Sequence, residues 1–295
     1  MTLPLALALG SLVASPPASL GTAVETTGAD APIRAPFPLR YEPFGDPAIA
    51  AFASAAWETT ELVSKDVLAP SACRWCDRTP DGIDRLNALD RWGRGARWDS
   101  IEAQHTAGTL SNVVGFGALP AAIAGIDVAL AGAAGARHLA TEDLVLVWQS
   151  MALAMLLNQS VKFIAARERP FVHVLPPEER QATADPLDNN LSFFSGHATF
   201  AFSVAVAAGT VAELRGYPGR AWVWAVGIPL ATATAYLRMA AEKHYLTDVL
   251  AGAAVGSAFG AGIPLLLHPR EHATVTAMEI RLVPAGSGAA LSGTF

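Results

Sequence analysis

From Val113 onward, long apolar stretches alternate with short polar joints: Val113–Ala136, Leu144–Ala166, Gly196–Ala212, Ala221–Leu237 and Val249–His268. Each is 17 to 24 residues long, close to the roughly 20 that a helix needs to cross a bilayer. Pro120, Gly227, Pro229, Gly252, Gly256 and Pro264 lie inside them. Such residues weaken soluble helices but are common in membrane helices, where small side chains let neighbours approach closely. The pattern predicts an all-α, membrane-embedded bundle of about five to six helices. A soluble, alanine-rich bundle is the competing reading, because alanine is only mildly hydrophobic.

Upstream the pattern changes. Residues 1–24 carry no charge, and Leu3–Ala14 form a short apolar run before Pro16-Pro17, as in a signal peptide without its basic start or in an uncleaved N-terminal anchor. Residues 25–110 are rich in Pro, Asp and Arg, include Trp57, Trp75, Trp92 and Trp98, and hold no stretch long enough to span, so they form an extramembrane region. Ile49–Val67 and Ile83–His105 show patchy helical periodicity there. The five apolar segments fall in a core at 111–268, and the tail, 269–295, alternates polar and apolar residues at Glu279–Val283, as a small hairpin would.

Composition sharpens this picture. Only 16% of the 295 residues are charged, against roughly 25% in soluble domains. The net charge is −6 with no long basic run, which leaves nucleic acid without an electrostatic grip. Two cysteines, Cys73 and Cys76, are too few for a cysteine zinc site. Their spacing suits a local disulfide in an exported chain; a thioredoxin-like redox pair has the same spacing but would need a βαβ context that is missing.

Polar residues gather at the ends of the apolar segments. Lys162 and Arg169 share a helical face, since seven residues at about 100° each return to within roughly 20°. They form either a two-pronged anion grip or a solvated positive cap on a helix C-terminus. Ser195-Gly196-His197 opens the third segment, where free backbone N–H groups favour an oxyanion; Ser195 as a plain N-cap is the alternative. Arg238 ends the fourth segment, and His244 and Asp248 open the fifth at i, i+4, so that the carboxylate can accept one ring N–H and leave the other nitrogen free. If each apolar segment crosses the membrane, all these clusters face one compartment. Three permanent cations then meet there, with only Asp248 and Glu168 as carboxylates, which suits an anion with several oxygens.

Lys-x6-Arg-Pro, Ser-Gly-His and Arg-x5-His-x3-Asp, in this order, resemble the type 2 phosphatidic acid phosphatase superfamily over about residues 110–268. Phe194 replaces the usual Pro before Ser-Gly-His, and Leu237 the usual Ser before Arg238. The resemblance implies His244 as nucleophile, Asp248 as the group fixing its tautomer, and His197 as general acid and then base. It implies Lys162, Arg169, Ser195, Gly196 and Arg238 as phosphate ligands, with no metal and no cofactor.

The implied substrate is a lipid phosphate or diphosphate drawn from the membrane: phosphatidic acid, phosphatidylglycerol phosphate or a prenyl diphosphate. A vanadium-dependent haloperoxidase-like oxidoreductase and a catalytically silent phospholipid-binding protein are the alternatives. His105, His138, His173, His268 and His272 read as surface or loop residues. Asp127, inside the first apolar segment, is expected to pair with Gln149 or Asn158. Arg137, Arg215, Arg220 and Arg270 flank the ends opposite the site and favour the cytoplasm, which puts the site on the periplasmic or extracellular side. The particular lipid and the number of chains per assembly stay open.

Overall fold

The structure, a computed structural model, describes residues 35–79, 81–271, 279–285 and 288–294. The signal or anchor expected at 1–24 lies outside the described residues, as does His272. The helices are α1 (Gly45–Leu62), α2 (Lys65–Leu68), α3 (Ala88–Gly93), α4 (Ile101–Asn112), α5 (Leu119–Ala133), α6 (Leu139–Ala165), α7 (Pro170–His173), α8 (Gly196–Arg215), α9 (Ala221–Ala240) and α10 (Leu246–Leu267). In the tail, β1 (Glu279–Ala285) pairs antiparallel with β2 (Gly288–Thr294).

Among the described residues four helices are long and apolar enough to cross a membrane: Ile101–Ala133, Leu139–Ala165, Gly196–Arg215 and Leu246–Leu267. The architecture is a membrane-embedded helical bundle. The first of these helices begins at Ile101 rather than Val113. Ser100 accepts a bond from the Ala103 N–H and so caps an earlier, more polar start. A π-helical stretch, Val113–Ala118, joins α4 to α5 without a break. Gly115 in that stretch lies so close to α9 that an added Cβ would stand 2.8 Å from Thr234 Cγ2.

The core is built from α5, α6, α8 and α9, with Ile123, Leu130, Val204, Ala208 and Val223 among its buried members. Between α8 and α10 the contact is backbone to backbone. Cβ atoms added at Gly252, Gly256 and Gly260 would stand 2.6, 2.4 and 2.8 Å from the carbonyl oxygens of Ser195, Thr199 and Ser203. The four-residue spacing repeats one small residue per helical turn, which is how membrane helices reach such closeness. Helix α1 runs alongside α6, bonded through Gln149 to Asp46, Trp148 to Ser54 and Gln159 to Glu61.

Two expectations fail inside this bundle. Asp127 Oδ2 is buried without a hydrogen-bond partner, because Gln149 turns to Asp46 and His268, and Asn158 to the Phe194 carbonyl. His173 and His268 are not surface residues. His268 is buried at the end of α10 between the Arg40 carbonyl and Gln149, and the buried His173 ring lies beside Arg78 and Glu168.

Candidate active site

The C-terminal ends of α6 and α9 and the N-terminal ends of α8 and α10 meet at one end of the bundle. Ser195 N–H donates to the Asp248 carbonyl at 3.0 Å, and Asn158 Nδ2 donates to the Phe194 carbonyl at 2.7 Å. These bonds bring all eight candidate residues together: Lys162, Arg169, Ser195, Gly196, His197, Arg238, His244 and Asp248. Ser195 caps α8 by accepting from Ala198 N–H, so the cap reading of that residue is satisfied as well. Gly196 is needed because a Cβ there would stand 3.0 Å from Asn158 Oδ1 and 3.2 Å from Lys162 Nζ. The lysine thus lies directly against the α8 N-terminus, where partial positive charge already gathers.

The cations differ in how they are balanced. Arg169 pairs with Asp188 at 2.9 Å and donates through Nε to the Asp188 carbonyl. Asp188 also holds Lys65 at 2.7 Å. Burial alone would raise the Asp188 pKa, but Arg169, Lys65 and Lys162 hold it far below the usual carboxylate range. Arg238 is buried and donates to the Ser111 hydroxyl at 3.2 Å, while its Nε has no partner among the described residues. Neither it nor Lys162 is paired with a carboxylate there. A buried guanidinium is stable only with hydrogen-bonding or charged company, and an oxyanion between Lys162 and Arg238 would supply it.

His244 is 3% exposed. Its Nδ1 lies 2.8 Å from the Ser192 carbonyl, and 3.8 Å from Asp248 Oδ2. This corrects the expected direct bond to Asp248. A carbonyl only accepts, so Ser192 fixes the proton on Nδ1 and leaves the Nε2 lone pair free. Asp248 is occupied elsewhere: Oδ1 takes Arg167 at 2.6 Å, and Oδ2 takes the Ser192 hydroxyl at 2.6 Å and Tyr245 N–H at 2.9 Å. It acts on His244 by charge across 3.8 Å and by fixing Ser192. Burial first, then Arg169, Arg238 and Lys162, push the His244 pKa well below the ordinary imidazole value.

His197 is held at Nε2 by Asn112 Oδ1, 2.7 Å away, with the Phe116 ring 4.5 Å from its own. Asn112 ends α4 and Phe116 sits in the π-helical stretch, so that irregular turn aims both at the histidine. Such turns recur at functional sites.

Sequence reasoning missed Arg167. Ala166 ends α6 in the left-handed conformation, at φ 47°, and turns Arg167 inward, where its side chain is fully buried. It bonds Asp77 at 2.8 Å, Asp90 at 2.5 Å, Asp248 at 2.6 Å and Thr247 at 2.8 Å, between the rings of Trp75 and Tyr245. Glu168, expected beside the cations of the site, instead pairs with Arg78. The adjoining Cys73 and Cys76 are disulfide-bonded, with Cα atoms 5.3 Å apart. Arg74 N–H donates to the Ala166 carbonyl and Glu168 N–H to that of Trp75, which fastens the disulfide loop to this end of the bundle. Among the described residues no group of three or more His, Cys, Asp or Glu side chains is arranged to hold a metal ion.

Part of the chain is similar to known proteins. The family model of the PAP2 superfamily matches residues 143–271. An undecaprenyl-diphosphatase of Sulfolobus acidocaldarius is 32% identical over 108 residues, 37% of this chain and 47% of that protein, so the chain spans about half the length of this curated relative. The crystal structure of a transmembrane PAP2 type phosphatidylglycerolphosphate phosphatase from Bacillus subtilis aligns over 74% of this chain and 93% of its own, at 15% identity and a TM-score of 0.41. Residues 143–271, somewhat less than half of the chain, carry all eight candidate residues and are similar to the PAP2 superfamily.

Proposed function

We propose that the chain is a membrane phosphatase that releases the terminal phosphate of a lipid phosphate or diphosphate through a phosphohistidine. The observation that carries this reading is the meeting of Lys162 and Arg238, cations without carboxylate partners among the described residues, with two oriented histidines at one end of the bundle. His244 Nε2 attacks phosphorus; the N–P bond forms as the bond to the lipid oxygen breaks, and His197 gives that oxygen its proton. Water then attacks the phosphohistidine while His197 takes its proton, and inorganic phosphate leaves. Lys162, Arg169, Arg238, the Ser195 hydroxyl and the Gly196 N–H meet the equatorial oxygens, where charge is spread in the transition state. Fixed cations do here what a metal ion does in other phosphatases. The name of the Sulfolobus relative supports a lipid diphosphate among the substrates. The disulfide loop fastened beside the site supports a site on the oxidising, non-cytoplasmic side.

The test is phosphate release by purified protein, with EDTA present, from phosphatidic acid, phosphatidylglycerol phosphate, undecaprenyl diphosphate and p-nitrophenyl phosphate. A brief pulse of phosphate-labelled substrate should leave acid-labile label on the wild type and none on His244→Gln. Label persisting on the variant overturns the nucleophile; no release from any of the four overturns the phosphatase.

A further inference from the structure

Lys243 immediately precedes His244, and its carbonyl accepts from Arg169 Nη1 at 3.4 Å, so its backbone is tied to the phosphate-side arginine. Its ammonium lies 4.5 Å from the centre of the Phe171 ring and has no ion pair among the described residues. The nearest acid in sequence, Glu242, is held by Arg94 through two bonds of 3.1 and 2.9 Å. Lys243 is thus one more cation beside the nucleophile, with no carboxylate in ion-pair contact among the described residues and only Asp188 and Asp185 acting on it from farther off. Burial, and then the charges of Arg169 and Arg238, lower its pKa; the three cations are near enough to repel one another.

Lys243 also lines a groove of about 410 Å³. Phe171, Val174 and Leu175 make one wall, and Ile101 and His105, from the first turns of α4, make another. Glu242 and Arg97 line it as well, so the groove runs from the Glu242-Lys243 turn, which leads directly into His244, to the start of a helix long enough to cross the membrane.

Charge decides what fits. With Lys65 balanced by its other partner Glu61, Lys162, Arg169 and Arg238 less Asp188 give a surplus of two positive charges, which matches one terminal phosphate dianion. Lys243 adds a charge that a phosphomonoester cannot use. We infer that Lys243 and the groove beside it bind the second, inner phosphate of the substrate, so that lipid diphosphates are preferred to lipid monophosphates. The inference rests on the phosphatase reading above and adds a specificity residue to it. In the reaction the terminal phosphorus bonds to His244 Nε2 as its bond to the bridging oxygen breaks. The electron pair goes to the bridging oxygen of the departing lipid monophosphate, which takes the His197 proton; Lys243 meets the negative charge on the other oxygens of that inner phosphate, while the apolar chain runs along the α4 wall.

The experiment compares kcat/KM for a polyprenyl diphosphate and the polyprenyl monophosphate of the same chain length, in detergent, for the wild type, Lys243→Gln and Lys243→Arg. Losing one charge-assisted contact should lower the diphosphate-to-monophosphate ratio of Lys243→Gln by about 10- to 100-fold. Lys243→Arg should restore most of it. Thermal melts of each variant control for folding. An equal fall for both substrates, an unaltered ratio, or a wild type that prefers the monophosphate overturns the inference and leaves the phosphatase standing. Hydrolysis of neither substrate overturns both.

Discussion

Replacing Arg167 with Met keeps much of the side-chain volume but removes the cation that three buried carboxylates share. Asp77, Asp90 and Asp248 would each lose a charge-assisted bond of 2.5–2.8 Å. Breaking a buried ion pair by deleting one partner costs about 3–5 kcal/mol, because a charge is left in low dielectric without compensation. A total stability of about 5–15 kcal/mol leaves little margin for that. At roughly 2–4 °C per kcal/mol, the melting temperature in detergent should fall by about 6–20 °C. Asp77→Asn is the matched control. One arginine faces three carboxylates, so removing one negative charge relieves repulsion, and the amide oxygen still accepts from Arg167. The bond from the exposed Trp75 indole N–H to Asp77 Oδ1 is given up, but water can replace it there, so that variant should stay within about 1 kcal/mol of the wild type. Melts of the two proteins, with phosphate release measured in parallel, decide the matter. Arg167→Met melting within about 2 °C of the wild type, or Asp77→Asn as damaging as Arg167→Met, would refute the reasoning.

Three further outcomes are expected. In the proposed mechanism the neutral form of His244 attacks, and its pKa is lowered, so the acid limb of kcat/KM from this group should lie below the ordinary imidazole value of about 6.5; Arg169→Gln removes a repelling cation and should move that limb upward. An unmoved or lowered limb would contradict the assignment. Arg169→Lys keeps the charge but loses the planar fork that holds Asp188 and that the proposed mechanism also turns to phosphate, and should lower kcat/KM by about 10- to 1000-fold; near-normal turnover would make Arg169 a helix cap only. Thiol labelling should find Cys73 and Cys76 blocked without reductant, and Cys73→Ser/Cys76→Ser should cost less than the roughly 3 kcal/mol that chain entropy assigns to closing a 15-residue loop; free thiols in protein from the membrane fraction would remove the argument for an oxidising side.

What is legible in the sequence is local. Gly252, Gly256 and Pro264 in an apolar run mark a membrane helix whatever surrounds it, and His244 and Asp248 share a face by spacing alone. The i, i+4 rule brings these two near but overstates their bond, because nothing in the spacing shows that Arg167, Ser192 and Tyr245 compete for the same carboxylate. Arg167 is hidden for a related reason. It lies in a charged run, Arg167-Glu168-Arg169, which reads as a solvated cap, and its partners Asp77 and Asp90 are 90 and 77 residues upstream, in a region whose periodicity is at best patchy. His173 and His268 are misjudged because a lone histidine carries no sign of the buried carbonyl, amide or guanidinium it will meet.

The reach of Arg167 means that the borders of this site in sequence are not its borders in space. Excising residues 143–271 would keep every side chain assigned to phosphate chemistry, yet strip Arg167 of Asp77 and Asp90, His197 of Asn112, and Arg238 of Ser111. The stretch from Cys73 to Asn112 is therefore a supporting half of the same machine. A swap of N-terminal regions between relatives would preserve function only if it carried those four partners with it, so Asp77, Asp90, Ser111 and Asn112 set the smallest unit that can be moved intact.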